Sequence, residues 1–430
     1  NIRVVDLTSV LSGPFCTWLL STLGAEVIKV ESPKGDLARG TPPFENGVSL
    51  YFASLNRNKR SMALDLKNPD HVAIARDLAA KADILVENNR PGVLDRLGLG
   101  YAALSEINPK LVYCSISAYG QTGPRSRQGG FDLTMQAMAG VMSVTGEQDA
   151  PPVKCGVPIS DFAAGLYAAY AVTAALRDVE RNGRGVQIDI PMLGATLGIA
   201  ALQTSEFFGN EKNPRPLGSA HPRNAPYQAF RCSDGYFAMA AGNDKLWASV
   251  CDVVERPELS KDTRFLSTAD RAANQVELKD ILEEVFVQSS AGEWLARFNE
   301  AGVPCAPINQ YSDALADPQV QHMGLVQPLT LPNGAQTRTV VSPILMDGAS
   351  AGVRLPPPKL GAEGGLDGGG ADAEPSAPSM TRPEAFKEAR HARELAEDSI
   401  TKHGSYRVGV LKILRLGTVC TDGPFHDQRF

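Results

Sequence analysis

The stretch GVPISDFAAGLYAAYAVTAAL, residues 156–176, sets one acidic residue, Asp161, at the mouth of a long apolar run. Two uses compete for an aspartate in that place. As an N-cap its carboxylate accepts bonds from the first unpaired amides of the helix. As a nucleophile it must stay ionised at neutral pH, which a helix N-terminus favours. Local sequence alone favours the cap. Asp132, in GGFDLTMQAMAG (129–140), reads as a second N-cap.

Other chemistries find less support. Seven cysteines are scattered without a C-x-x-C pair, and the six histidines form neither HExxH nor a Cys/His cluster, so no metal site is expected. An odd cysteine count is no disulfide framework and points to a reducing compartment. The expected location is cytoplasmic, or the mitochondrial matrix if a targeting peptide has been removed. A net charge of −6 with both signs dispersed gives no nucleic-acid footprint. No apolar run reads as long enough to cross a bilayer, so no transmembrane segment is expected.

The elements that would position Asp161 follow from alternation. RVVDL (3–7), EVIKVE (26–31), SMALDL (61–66), DILVE (83–87) and LVYCSIS (111–117) read as strands, separated by helical patterns such as 13–24 and 71–82. This spacing predicts βαβ units and an α/β, doubly wound parallel sheet. Ligands bind such sheets beyond the carboxyl ends of the strands, which singles out LTSVLSGP, ENNRPG and SAYGQTGP. The turn after RVVDL has one glycine and no GxGxxG, and GxxxxGK[ST] is also missing, which argues against nicotinamide and P-loop chemistry.

After a further strand at 185–190, the Pro/Asn/Gly-rich crossing at 209–226 reads as a domain boundary. Beyond it come a hairpin turned at Ser233-Asp234-Gly235, helices near 243–254, 269–287 and 290–300, and a strand near 303–309. The expected organisation is a large domain at 1–208, a smaller α+β domain at 209–324, a segment at 325–361 returning to the first, and an atypical flexible tail at 362–430 rich in Gly, Ala and Pro.

Eight stretches in register resemble the class III coenzyme A transferases, a family that also includes α-methylacyl-CoA racemases. They are residues 4–31, 56–69, 82–101, 116–124, 129–140, 156–167, 220–230 and 356–361. The resemblance implies a Rossmann-like large domain, a small domain, and a homodimer whose two chains interlock like rings. It implies that Asp161, in a G-x-x-x-x-D-x-x-x-G setting, is the catalytic nucleophile as well as the helix cap. Attack on an acyl-CoA thioester would give a mixed anhydride and CoA thiolate, then an aspartyl-CoA stage as a second carboxylic acid takes over the CoA. The backbone near Gly140 and at 218–221 is a candidate for holding the oxyanion.

Carried over position by position, the resemblance implies CoA contacts at Val10, Leu11 and Ser12 after the first strand, Leu64 and Lys67 in LDLK, and Asn88 and Arg96 in ENNRPGVLDRLG. Lysine and arginine suit the phosphates of the nucleotide end. Lys59 and Arg60 are read as structural. No permanently bound cofactor is implied; the CoA thioester is a substrate.

Within the family, moving an α-proton between faces needs two acid/base groups, and the racemases supply a histidine where this chain has Phe131. Phe131 cannot carry a proton, which favours acyl-CoA:carboxylate CoA-transfer over the epimerase. A CoA-ester-binding protein without catalysis is the third reading. The segment GSAHPRNAP lacks a glycine-rich loop, which argues against oxalate as acceptor. PVKCGVPISDFAAG and GSAHPRNAPYQAF look more like succinyl-CoA-dependent dicarboxylate transferases, with Lys154, Arg215 and Arg223 as cations near the site.

Overall fold

A computed structural model describes residues 2–364, so the tail reading lies almost wholly outside the described residues. Counting strands of three residues or more, β1 (Arg3–Leu7), β2 (Glu26–Glu31), β3 (Lys59–Ala63), β4 (Ile84–Glu87), β5 (Val112–Ser117) and β6 (Val186–Pro191) form one sheet. Their order is β3-β2-β1-β4-β5-β6, with every pair parallel. The chain winds outward from β1 in one direction, then returns to start the other half at β4. The switch point therefore lies between the ends of β1 and β4, where the sheet opens a crevice.

Among the described residues, nine α-helices accompany this sheet: α1 (Ser12–Thr22), α2 (Leu50–Asn56), α3 (Pro69–Lys81), α4 (Val93–Arg96), α5 (Tyr101–Ile107), α6 (Asp132–Met138), α7 (Ile159–Asn182), α8 (Met192–Gly198) and α9 (Ala201–Asn210). Sequence determines their ends where it can. In α3, the Asn68 side chain accepts from the Asp70 amide, Pro69 opens the first turn and Lys81 lies in the last. Valine and isoleucine fill the central strands, which are buried on both faces. One face packs Cys16 and Leu20 of α1 and Ala164, Ala168 and Val172 of α7 against the sheet. The other packs Ala75 and Ala79 of α3 with Leu94 and Leu104. This is the doubly wound α/β arrangement expected from the sequence.

A second set of elements has its own core. The hairpin β7 (Tyr227–Cys232) and β8 (Gly235–Ala240) pairs with β9 (Cys305–Pro307), and α10 (Asp244–Val253), α11 (Thr268–Ala273), α12 (Gln275–Phe286) and α13 (Ala291–Glu300) cover it. Phe230, Phe237, Phe286, Trp294 and Phe298 fill the space between. The single helix expected over 269–287 is broken at Asn274, which leaves helical geometry at φ −108° and ψ 25° and whose side-chain amide donates to the carbonyls of Arg264 and Asp270. Strands β10 (Val326–Thr330) and β11 (Gln336–Val340) follow. The chain then reaches back to β3: the Leu355 amide donates to Asn58 and the Gly361 amide to Ser61.

One expectation needs correction. Helix α7, 24 residues long, is apolar enough to cross a membrane by length and composition. Its apolarity comes largely from alanine, which here serves close packing: Ala163, Ala164, Ala168, Val172 and Ala175 are all buried.

Candidate active site

Asp161 is the third residue of α7, and Pro158 occupies the N-cap position without a side-chain cap bond. Asp161 is therefore not the cap. That role falls to Asp132, whose Oδ1 accepts from the amide of Ser160, 28 residues later in the chain, at 2.9 Å. Asp132 is itself no cap of α6, because Phe131 holds that place. From the first position of α6 its carboxylate reaches across to the neighbouring helix. Its Oδ2 accepts from Gln136 Nε2 at 2.7 Å, and Gln136 Oε1 accepts from the Cys155 amide at 2.9 Å. Asp132, Gln136 and Ser160 are all buried. This clasp fixes the chain entering α7 and leaves the Asp161 carboxylate uncommitted to its own helix end.

Burial raises the Asp161 carboxyl, the nearby Asp132 charge raises it further, and the hydroxyl and amide of Ser12 pull it back, so that it settles at about 6. At neutral pH such a group is still mostly ionised, yet it is a stronger base, and so a better nucleophile, than an exposed aspartate.

Ser12 opens α1, whose start lies against α7. Gly165, one turn beyond Asp161, permits that approach: a Cβ there would stand 2.7 Å from the Ser12 carbonyl oxygen and 2.8 Å from the Phe15 ring. Gly156, the first glycine of the same motif, faces open space. The two glycines of G-x-x-x-x-D-x-x-x-G thus have unlike duties.

Between β1 and α1 the chain turns at Thr8–Val10. Val10 sits at φ 69°, in the left-handed region, at a cost of about 1–3 kcal/mol for a β-branched residue. Asn88, at the end of β4, spans the switch point: its Oδ1 accepts from the Ser9 amide at 2.9 Å and its Nδ2 donates to the Ser9 carbonyl at 2.8 Å. The Tyr51 hydroxyl of α2 donates to the Val10 carbonyl at 3.0 Å. Tyr51 is a residue of this neighbourhood that sequence reasoning missed. Burial, followed by the Asp161 charge, pushes its phenol upward.

Of the expected CoA contacts, Val10, Leu11 and Ser12 lead from the turn into α1, Asn88 grips that turn at Ser9, and Ser12 faces Asp161. Leu64, Lys67 and Arg96 lie farther along the same edge of the sheet, after β3 and β4. Lys67 and Arg96 are exposed. The Leu64 side chain belongs to the core and its amide donates to the Glu31 carbonyl, so only its own carbonyl faces outward chemistry. Lys59, read as structural, is buried and donates to Asp6 at 3.1 Å. Lys154 donates to the adjacent Cys155 carbonyl, Arg223 pairs with Glu206, and Arg215 is exposed. The amides of Gly140, Gly218, Ala220 and His221 already donate to backbone carbonyls. No group of three metal-ligating side chains occurs among the described residues.

The sheet, its switch point and the half-buried carboxylate on α7 can be set beside the relatives of this chain. CoA-transferase family III matches residues 1–364. The succinyl-CoA:glutarate CoA-transferase of Mus musculus is 40% identical over 363 residues, covering 84% of this chain and 83% of that protein. The acetyl-CoA:oxalate CoA-transferase of Acetobacter aceti is 41% identical over 321 residues, covering 74% and 82%. The crystal structure of a CAIB/BAIF family protein from Brucella suis superposes with a TM-score of 0.76 at 38% identity, over 85% of this chain and 96% of that one. The family match, these relatives and the shared fold agree that the chain is an enzyme of CoA-transferase family III.

Proposed function

We propose that this enzyme moves CoA from succinyl-CoA to a dicarboxylic acid through covalent intermediates on Asp161. The observation that carries the reading is the Asp161 carboxylate itself, half-buried, raised in basicity, and facing the amide and hydroxyl of Ser12. Attack of its oxygen on the thioester carbonyl forms the mixed anhydride and expels CoA thiolate. The thiolate attacks the aspartyl carbonyl, releasing succinate and leaving CoA on Asp161 as a thioester. The acceptor carboxylate then displaces the thiolate, forming a new anhydride. Thiolate attack on the acceptor's acyl carbon yields the product and frees Asp161. Whenever the aspartyl carbon is the electrophile, the Ser12 donors already face its oxygen and stabilise the charge that develops there.

Val10, Leu11 and Asn88 would line the pantetheine arm, with Lys67, Arg96 and the Leu64 carbonyl toward the nucleotide; the thioester is a substrate and no resident cofactor enters the chemistry. An epimerase is disfavoured because Phe131 carries no proton and both Asp132 oxygens are engaged by Ser160 and Gln136. We read 1–208 as the large domain, 209–324 as the small one and 325–361 as the return, in a homodimer of interlocked chains.

Incubation with succinyl-CoA followed by hydroxylamine, read by peptide mass spectrometry, tests the reading. A hydroxamate on Asp161, absent in Asp161→Asn while CoA still binds, is expected. Glutarate and oxalate as competing acceptors then name the acid. An unmodified Asp161 with intact CoA binding would sink the proposal in favour of a binding protein or epimerase.

A further inference from the structure

The turn between β1 and α1 has an unusual hydrogen-bond account. All six backbone polar groups of Thr8, Ser9 and Val10 bond to side chains. The Thr8 amide donates to Asp6 at 2.9 Å, and the Thr8 carbonyl accepts from Lys29 Nζ at 2.7 Å. Asn88 takes both groups of Ser9, Asp36 Oδ1 accepts from the Val10 amide at 3.0 Å, and Tyr51 donates to the Val10 carbonyl. A turn normally closes on its own backbone; this one is gripped from β1, β2, β4, α2 and the loop after β2.

Two of the five side chains form a buried ion pair, Lys29 Nζ to Asp36 Oδ2 at 2.8 Å, with Lys29 fully buried and Asp36 nearly so. The pair touches neither the Asp161 carboxylate nor the crevice by any described bond, and a buried pair is weak evidence for stability as such. Its geometry shows another use. Lys29 holds the turn by a carbonyl at residue 8 and Asp36 by an amide at residue 10, on either side of Ser9. Their bonds bracket the positive φ at Val10, which an unrestrained valine avoids. Two residues later the same chain supplies the Ser12 amide and hydroxyl to Asp161.

We propose that the buried Lys29–Asp36 pair is a positioning device for the CoA-transfer chemistry: it clamps the Thr8–Val10 turn in a strained form that presents Ser12 to Asp161. The inference rests on Asp161 being the nucleophile. Neither residue touches substrate; both act through the turn. Charge gives the clamp its specificity, because an amide in place of the Asp36 carboxylate sets an N–H donor against the Lys29 ammonium.

Asp36→Asn, Val10→Gly and the double variant test this. Glycine adopts φ 69° without strain, so it should relieve the need for the clamp. Asp36→Asn is expected to lower kcat at least tenfold and to speed hydrogen exchange of the amides at 8–12 more than elsewhere. Asp36→Asn/Val10→Gly should recover most of the kcat of Val10→Gly alone, a rescue that a merely structural role would not produce. If Asp36→Asn does not fold, Lys29→Met/Asp36→Asn leaves no member of the pair charged and is compared with and without Val10→Gly in the same way. The proposal is overturned if kcat and exchange at 8–12 stay within twofold of wild type, or if the folded double variant is no better than Asp36→Asn. A wild-type enzyme without transfer activity would remove the reading of Asp161 instead, while the exchange pattern would still report on the clamp.

Discussion

At the residue scale, the decisive feature is that Asp161 is raised, not lowered, by its surroundings. A helix N-terminus alone would hold the carboxyl low, but burial and the Asp132 charge outweigh it and bring it to about 6. Turnover should therefore rise with pH through about 6 as the carboxylate forms, measured as the acid limb of kcat/KM. The same shift has a cost for the fold. An aspartate titrates near ~3.9 in the unfolded chain, so between about pH 4 and 6 the folded state binds the proton more tightly. Stability is thus lost as pH rises through that window, by up to ~3 kcal/mol for two units, and stays lost above it. Asp161→Asn cannot ionise and escapes this loss. It should be inactive yet more stable than wild type by about 1–3 kcal/mol at pH 8 in urea denaturation, with the advantage gone at pH 4. A variant less stable at pH 8 would mean that the Asp161 charge is favourably held, contrary to the electrostatics argued here.

At the element scale, the site exists because α1 and α7 approach closely at Gly165. Its absent Cβ would meet the Ser12 carbonyl oxygen at 2.7 Å and the Phe15 ring at 2.8 Å. The ring can turn aside; the carbonyl cannot without moving the start of α1. Gly165→Ala should therefore lower kcat tenfold or more and cost about 1–3 kcal/mol in a urea melt, as overpacking does. Gly156→Ala, facing open space, should change each little. Equal effects from the two would refute the division of labour within the motif. This scale also shows what was legible in the sequence. The β-branched runs of β1, β2, β4 and β5 announced a parallel sheet because buried strands must be apolar on both faces. Asp161 was visible as a residue but misplaced as a cap. Its real neighbours, Asp132, Ser12 and Tyr51, come from three other elements, and no local pattern carries a contact across 29, 149 or 110 positions of chain. The break at Asn274 was hidden for the opposite reason: propensity over 269–287 is uniformly helical, and one side chain's bonds to nearby carbonyls overrule it.

At the scale of the whole molecule, the apolar surface bears on assembly. Phe208 is 79% exposed and Tyr170 75%, with Leu166 of α7 and Phe207 of α9 also open to solvent. Scattered apolar residues on a surface need no explanation, but aromatic side chains presented by both α7 and α9 do. One of those helices, α7, bears Asp161, and β6 and α8 link it to α9. A partner covering them would brace the helix that carries the proposed nucleophile. The proposed homodimer accounts for this surface, and it predicts that the 45.8 kDa chain runs at about twice that mass in light scattering after gel filtration. Phe208→Asp with Tyr170→Asp should shift it toward the single-chain mass, because a carboxylate in a desolvated aromatic contact has no compensating partner. Activity should fall with the dimer, since α7 would lose what holds it. A wild-type chain of single mass, or a double variant that stays paired, would leave these aromatics to another partner and detach the site from assembly.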